Sequence, residues 1–170
     1  MCAFRKGIEC IMILVLLGTQ HNEFSRLLQK IEECILNGVI KEKVIIQAGF
    51  TKFSSNNMEI FDLIPLDELE KMVSEANFVI THGGVGSILT ALNKNKKVIA
   101  VPRLSKFNEH VNDHQKQIVD IFNQKEYIIG IQEVDELPEA LKKVENFIPK
   151  PYEKGNNKIL NIVEDFINKC

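Results

Sequence analysis

"ANFVITHGGVGSILTAL", residues 76–92, is the stretch that decides how this chain folds. A short apolar strand, Phe78–Thr81, leads into His82, and glycine then holds three of the next four positions before Ser87. Apolar residues at once resume with helical spacing over Val85–Asn93. Strand, glycine turn and helix in direct succession make one βα unit. By themselves the glycines establish only a tight turn. Such a turn also lets a ligand approach the backbone, and the free N–H groups opening the next helix attract anions.

The same alternation extends in both directions. Upstream, Ile11–Leu17 is a continuous apolar run, the mark of a buried parallel strand. Phe24, Leu27, Leu28, Ile31 and Ile35 then recur at helical spacing until Gly38 ends the helix. Val44–Ala48 reads as a strand, 49–57 as a polar loop, Met58–Ile64 as a short strand closed by Pro65, and Leu66–Glu75 as a helix. Downstream, strand Val98–Val101 stops at Pro102, 103–110 is a charged loop, and 111–124 is helical. Tyr127–Ile131 reads as a last strand, and Asp135–Phe147 as a helix that tolerates Pro138 in its first turn. A linker over 148–157 precedes an amphipathic helix, Lys158–Ile167. The fold class predicted is α/β: a Rossmann-like parallel sheet with helices on both faces.

The totals exclude several classes of function. A chain of 170 residues, 45% hydrophobic and 26% charged, suits one globular domain. Net charge is −2 and the basic residues are scattered, so nucleic acid is not an expected partner. Cys2, Cys10, Cys34 and Cys170 show neither CxxC pairing nor metal-ligand spacing, which predicts free thiols and a cytoplasmic protein. The apolar run at 11–17 is far too short to span a bilayer and reads as a strand.

In an open α/β sheet, ligands bind beyond the carboxyl ends of the strands. Two turns there carry suitable chemistry: Gly18-Thr19-Gln20, and His82-Gly83-Gly84-Val85-Gly86-Ser87. Neither matches the dinucleotide fingerprint GxGxxG or the P-loop. Next, "VPRLSKFNEHVNDHQ", residues 101–115, gathers Arg103, Glu109, His110, Asn112, Asp113, His114 and Gln115, a set suited to hydrogen bonding a sugar. His110 and His114 are four apart beside Asp113, but with no third spaced ligand a zinc site is not expected. His82 is a candidate catalytic or phosphate-contacting side chain. "NKNKK" at 93–97 reads as a helix C-terminus, and the acidic run at 133–136 as a helix N-terminus. Phe50, Phe53, Phe61 and Phe107 read as core or rim packing.

Three ordered motifs, Gly18-Thr19-Gln20 with Phe24–Leu27, then residues 81–92, then 102–115, resemble the C-terminal, donor-binding domain of family 28 glycosyltransferases. The resemblance covers roughly 12–168. It is strongest to the small donor-binding subunits of two-chain bacterial capsular and exopolysaccharide glycosyltransferases. It extends to the donor-binding subunit of the eukaryotic dolichol-linked GlcNAc transferase. What it implies is one half of a GT-B enzyme with a UDP-sugar donor and no metal or other cofactor. Gly18, Thr19, Gln20, His82, Gly83, Gly84, Val85, Gly86 and Ser87 would hold the diphosphate, with Arg103 adding positive charge. Ile64, Pro65 and Leu66 would meet the uracil, and Glu109, His110, Asp113, His114 and Gln115 the ribose or sugar. One departure is that Leu89 and Thr90 stand where many relatives carry a ribose-binding glutamate.

The resemblance places residues 1–11 as an N-terminal extension and 12–170 as a single domain. A transferase of this kind needs two such domains facing a cleft, well over roughly 300 residues by the size of such domains. The expected partner is therefore a membrane-anchored acceptor-binding subunit, which supplies the general base and recruits this chain to the inner face of the membrane. The acceptor is expected to be a lipid-linked sugar. Competing readings are a non-catalytic stabilising subunit and another nucleotide-binding Rossmann protein such as a methyltransferase or dehydrogenase.

Overall fold

The computed structural model describes residues 11–152. Six strands among these residues form one parallel sheet: β1 (Met12–Leu16), β2 (Lys43–Gln47), β3 (Glu59–Phe61), β4 (Phe78–His82), β5 (Lys97–Val101) and β6 (Ile129–Gly130). Among the described residues five α-helices accompany them: α1 (Ser25–Leu36), α2 (Leu66–Glu75), α3 (Val85–Leu92), α4 (His114–Gln124) and α5 (Leu137–Asn146). The strand order is β3-β2-β1-β4-β5-β6.

The apolar runs become central strands because both of their faces are covered. Every residue of β1 is buried. Ile13 and Val15 face α1 and α5 through Phe24, Leu27, Leu28, Ile31, Leu141 and Val144. Met12, Leu14 and Leu16 face the opposite layer, built on Val73 of α2, Ile88 and Leu92 of α3, and Val119 and Phe122 of α4. Period-two alternation in one run thus feeds two cores. β1 lies between β2 and β4, so the chain runs outward one way through β2 and β3 and the other way through β4 to β6. The loops leaving β1 and β4 separate at this reversal and open the crevice where open α/β sheets bind ligands.

Several boundaries differ from the sequence expectation for physical reasons. The edge strands are short: Met58–Ile64 contracts to Glu59–Phe61, and Tyr127–Ile131 to Ile129–Gly130, each paired on one side only. The outer side of β6 is closed off by Asn123, whose Oδ1 accepts the Gly130 N–H at 2.9 Å. Helix α4 begins at His114, not 111, because Asn112 and Asp113 accept backbone N–H groups of His114 and Ser105. Residues 105–107, expected as loop, form one 3-10 turn. Another 3-10 turn, Val134–Glu136, precedes α5 and is closed by a Glu133/Glu136 capping box. Two of the three lysines of 93–97 cap neighbouring helices instead of their own, Lys96 Nζ donating to Ala76 O and Lys97 Nζ to Val144 O and Glu145 O, while Lys94 pairs with Glu70 at 3.1 Å. Cys34 is a buried free thiol. The expected helix Lys158–Ile167, residues 1–10 of the expected extension, and the other three cysteines lie outside the described residues. Among the described residues, no helix is long and apolar enough to cross a membrane.

Candidate functional site

At the crevice β4 ends on His82 and the glycine turn delivers the chain into α3. The first two N–H groups of the turn are used internally. Gly83 donates to Gln115 Oε1 at 3.1 Å, and Gly84 to His82 Nδ1 at 3.1 Å. The first helical bond runs from Ile88 N–H to Gly84 O at 3.2 Å. Val85, Gly86 and Ser87 lie ahead of that bond, so their N–H groups have no carbonyl to meet. No side chain caps this end and no acidic residue lies in its first turn. The helix dipole reinforces the three donors. A Cβ built on Gly86 would meet no described atom within 4 Å, so the side of the turn at that residue is open. Opposite, on the β1 loop, the N–H groups of Gly18, Thr19 and Gln20 find no acceptor among the described residues. Two backbone segments with unpaired donors therefore flank one crevice, which suits an anion site.

The His82 imidazole, half-buried, lies between these turns. A Cβ on Gly18 or on Gly84 would collide with its ring, so both positions need glycine for the ring to sit there. Burial, and secondarily the charge of Arg103, lower its pKa to about 4. The ring is neutral at physiological pH. Both of its nitrogens are engaged, Nδ1 with the Gly84 N–H and Nε2 with Ser87 Oγ at 3.2 Å.

Beneath the β1 loop, Arg103 is 1% exposed. Its Nη2 donates to Leu17 O at 2.7 Å and its Nη1 to Asn22 O at 2.7 Å, so it grips the two ends of the Gly18–Gln20 turn. Burial lowers its pKa to about 10, opposed by Glu109, and leaves it charged. Glu109, also buried, takes a bidentate pair from Arg26, both bonds at 2.9 Å, and the Leu104 N–H at 2.9 Å. Arg26 in turn lies 4.5 Å over the Phe107 ring and reaches Glu133 at 3.4 Å. Among the described residues, no group of three or more His, Cys, Asp or Glu side chains could hold a metal ion.

Residues 12–170 match the glycosyltransferase family 28 C-terminal domain. The chain belongs to that family. UDP-N-acetylglucosamine transferase subunit ALG13 of Candida glabrata is 31% identical over 112 residues, which are 64% of this chain and 48% of that protein. The chain spans less than half the length of the curated relatives it matches. Its fold is that of CalG4, the calicheamicin glycosyltransferase, with TM-score 0.60 and 15% identity over 97% of this chain and 40% of that one. The solution structure of ALG13 matches with TM-score 0.57 and 19% identity, over 93% of this chain and 96% of that one.

Within this family 28 domain, the sequence-predicted site residues separate into two groups. Gly18, Thr19, Gln20, His82 and residues 83–87 converge on the crevice. The structure engages Arg103, Glu109 and Gln115 with protein partners, and Arg103 keeps the positive charge expected of it, with its Nε unpartnered among the described residues. All three are buried, and Gln115 Oε1 already accepts from Gly83 and Arg103 N–H groups at 3.1 and 3.0 Å. They act as struts: Arg103 is spent on backbone carbonyls, the Glu109 carboxylate on Arg26 and the Leu104 N–H, and Gln115 Oε1 on two backbone N–H groups. His110, Asp113 and His114 stay nearer the surface. Asp113 is exposed, and its carboxyl is held below the usual range by the Ser105 N–H. His114 Nδ1 lies 3.2 Å from Gln117 Oε1, and His110 Nδ1 accepts the Asn112 N–H at 3.3 Å. Ile64, Pro65 and Leu66 connect β3 to α2 on the same edge of the sheet, with Leu66 69% exposed and the Ile64 N–H held by Gln47 Oε1.

Sequence reasoning missed Asn22, Gly49 and the role of Arg26. Arg26 stands inside the first motif, and its pairing with Glu109 spans 83 positions. Gly49 lies so close to Gly18 O that a Cβ would collide with it. Phe50, read as packing, is exposed with its ring centroid 4.3 Å from that of His21. A separate cavity of about 610 Å³ lies at the β6 edge against α5. Of its acids, Glu126, Asp135 and Glu139 are paired with Lys150, Lys30 and Lys142, and Glu136 accepts the N–H groups of Gln132 and Glu133.

Proposed function

We propose that this chain is the donor-binding component of a UDP-sugar-dependent glycosyltransferase. The diphosphate would rest on the N–H groups of Val85, Gly86 and Ser87, faced by the Gly18–Gln20 turn, with uracil toward Ile64–Leu66 and the sugar toward His110, Asp113 and His114. The observation that carries this reading is the pair of unpaired donor runs meeting at the sheet reversal, in a family 28 domain. Donors fixed in place stabilise charge as it builds on the departing UDP, since they need no reorganisation at the moment of transfer. The helix dipole and these amides take the part that a metal ion plays elsewhere, so no metal is required.

The acceptor-binding half is supplied by another chain, membrane-anchored, which presents a lipid-linked sugar and carries the general base. The neutral His82, with both nitrogens engaged, supports that division. The complex works at the cytoplasmic face of the membrane and transfers a hexose during capsular or exopolysaccharide synthesis. The similarity to relatives named as transferase subunits supports the two-chain arrangement. Melting the purified chain with UDP, UDP-sugars, NAD and S-adenosylmethionine tests the reading. A ligand at 100 times its Kd stabilises by about 2.7 kcal/mol. A shift with UDP and UDP-sugars alone is expected, and a shift with NAD or S-adenosylmethionine instead would refute it.

A further inference from the structure

Gln115 Oε1 accepts two backbone N–H groups, from Gly83 and Arg103, and backbone N–H groups can only donate. That fixes the orientation of the carboxamide and turns Nε2 toward His82 Nδ1, 3.3 Å away. Nδ1 also receives the Gly84 N–H. It therefore carries no proton, and a neutral imidazole must then carry its proton on Nε2. Nε2 faces Ser87 Oγ at 3.2 Å, so the serine oxygen is the acceptor in that bond. The serine's own proton is left for another partner. Thr90, one turn on, spends its proton on Gly86 O at 2.8 Å, but Ser87 makes no such bond to a carbonyl among the described residues. Beside Ser87 the ground above Gly86 is open.

We propose that Gln115, His82 and Ser87 form a donor relay, in which Gln115 and His82 are positioning residues that aim the Ser87 hydroxyl proton at a bound phosphate. The proposal rests on the donor-site reading above and assigns His82 and Gln115 a role without direct contact to the nucleotide. Each link donates in the same direction, so each polarises the next, and the run ends on the anion. Gly18 and Gly84 serve the relay by leaving room for the ring. Gln115, expected from the sequence to meet the sugar, acts from beneath through the ring.

The test uses the full chain labelled with 15N-histidine. Long-range proton–nitrogen spectra taken without ligand should find the His82 ring proton on Nε2. Calorimetry with UDP then compares the parent, Ser87→Ala, Gln115→Glu and the double variant. The carboxylate of Gln115→Glu can still accept both backbone N–H groups, but it draws the ring proton to Nδ1. Nε2 becomes an acceptor, and the serine proton turns inward. Each single change should weaken UDP binding about tenfold or more, as losing one hydrogen bond to a charged group does. The double variant should be no weaker than the weaker single one. A ring proton on Nδ1 in the parent, or losses that multiply, overturns the relay. If the parent fails to bind UDP, the donor-site reading falls and takes the relay's target with it, whereas UDP binding by a parent whose ring proton lies on Nδ1 overturns the relay alone. Should Gln115→Glu not fold, the ligand-free tautomer and the loss in Ser87→Ala remain decisive.

Discussion

Gly86→Glu should make the free protein more stable and abolish its response to UDP. Gly86 is the second residue of α3, and a Cβ there meets no atom within contact distance, so the fold admits a side chain at no steric cost. Replacing glycine in a helix by a good helix former gains about 0.5–1 kcal/mol. An acid in the first turn, where α3 has none, adds about 0.3–1 kcal/mol from the helix dipole. Together these amount to about 1–2 kcal/mol, which in a domain of this size raises Tm by roughly 2–8 °C. The same carboxylate stands over the three N–H groups offered to the diphosphate. At about 4 Å from a phosphate charge the repulsion near a protein surface is about 4 kcal/mol, or nearly a thousandfold in Kd. Thermal melting with and without UDP at 100 times the parent's Kd reads both effects. The parent should gain about 2.7 kcal/mol from UDP and the variant nothing measurable. A variant that melts below the parent, or one that keeps the full UDP shift, would refute the reasoning.

Gly84→Ala should act in the opposite sense, because its Cβ collides with the His82 ring; a loss of about 1–3 kcal/mol is expected in urea unfolding, before any ligand is added. Glu109→Ala strips the buried partner from Arg26 and leaves Arg103 less balanced, and it should destabilise by about 3–5 kcal/mol, read as a lower urea midpoint. The pH dependence follows from His82, whose pKa of about 4 lies below its ordinary value of 6.5. Between those values the unfolded chain binds the proton and the folded one does not, so stability falls as pH drops from 6.5 toward 4 and this contribution levels off below 4. The loss is at most roughly 3–4 kcal/mol, and comparing His82→Asn with the parent at pH 7 and 4.5 isolates it, because Asp113, Asp135 and Glu139 are common to both proteins.

The central strands were legible because each apolar run is buried on both faces, a demand that only a parallel sheet with two helical layers meets. Helix α2 was read to its boundaries, since Pro65 fixes one end and extended backbone at Ala76 the other. The edges were read too long, because β3 and β6 need satisfy a partner on one side only. The glycine turns and their convergence were also visible from the sequence. What the polar side chains of 101–115 do was not. Arg103 meets the carbonyls of Leu17 and Asn22 across 86 and 81 positions, and no local pattern announces which arginine is spent on such contacts. Gln115 looked like a sugar ligand for the same reason: its bonding depends on the neighbours the fold supplies, not on its place in the motif.

Amide NMR of the 15N-labelled chain titrated with UDP tests the central claim most directly. The largest shifts should fall on Val85, Gly86 and Ser87, with a second group at Gly18, Thr19 and Gln20, while the amides of Gly83 and Gly84, already bonded inside the protein, move less. UDP-dependent shifts confined to another part of the chain, such as the cavity at the β6 edge, would contradict it.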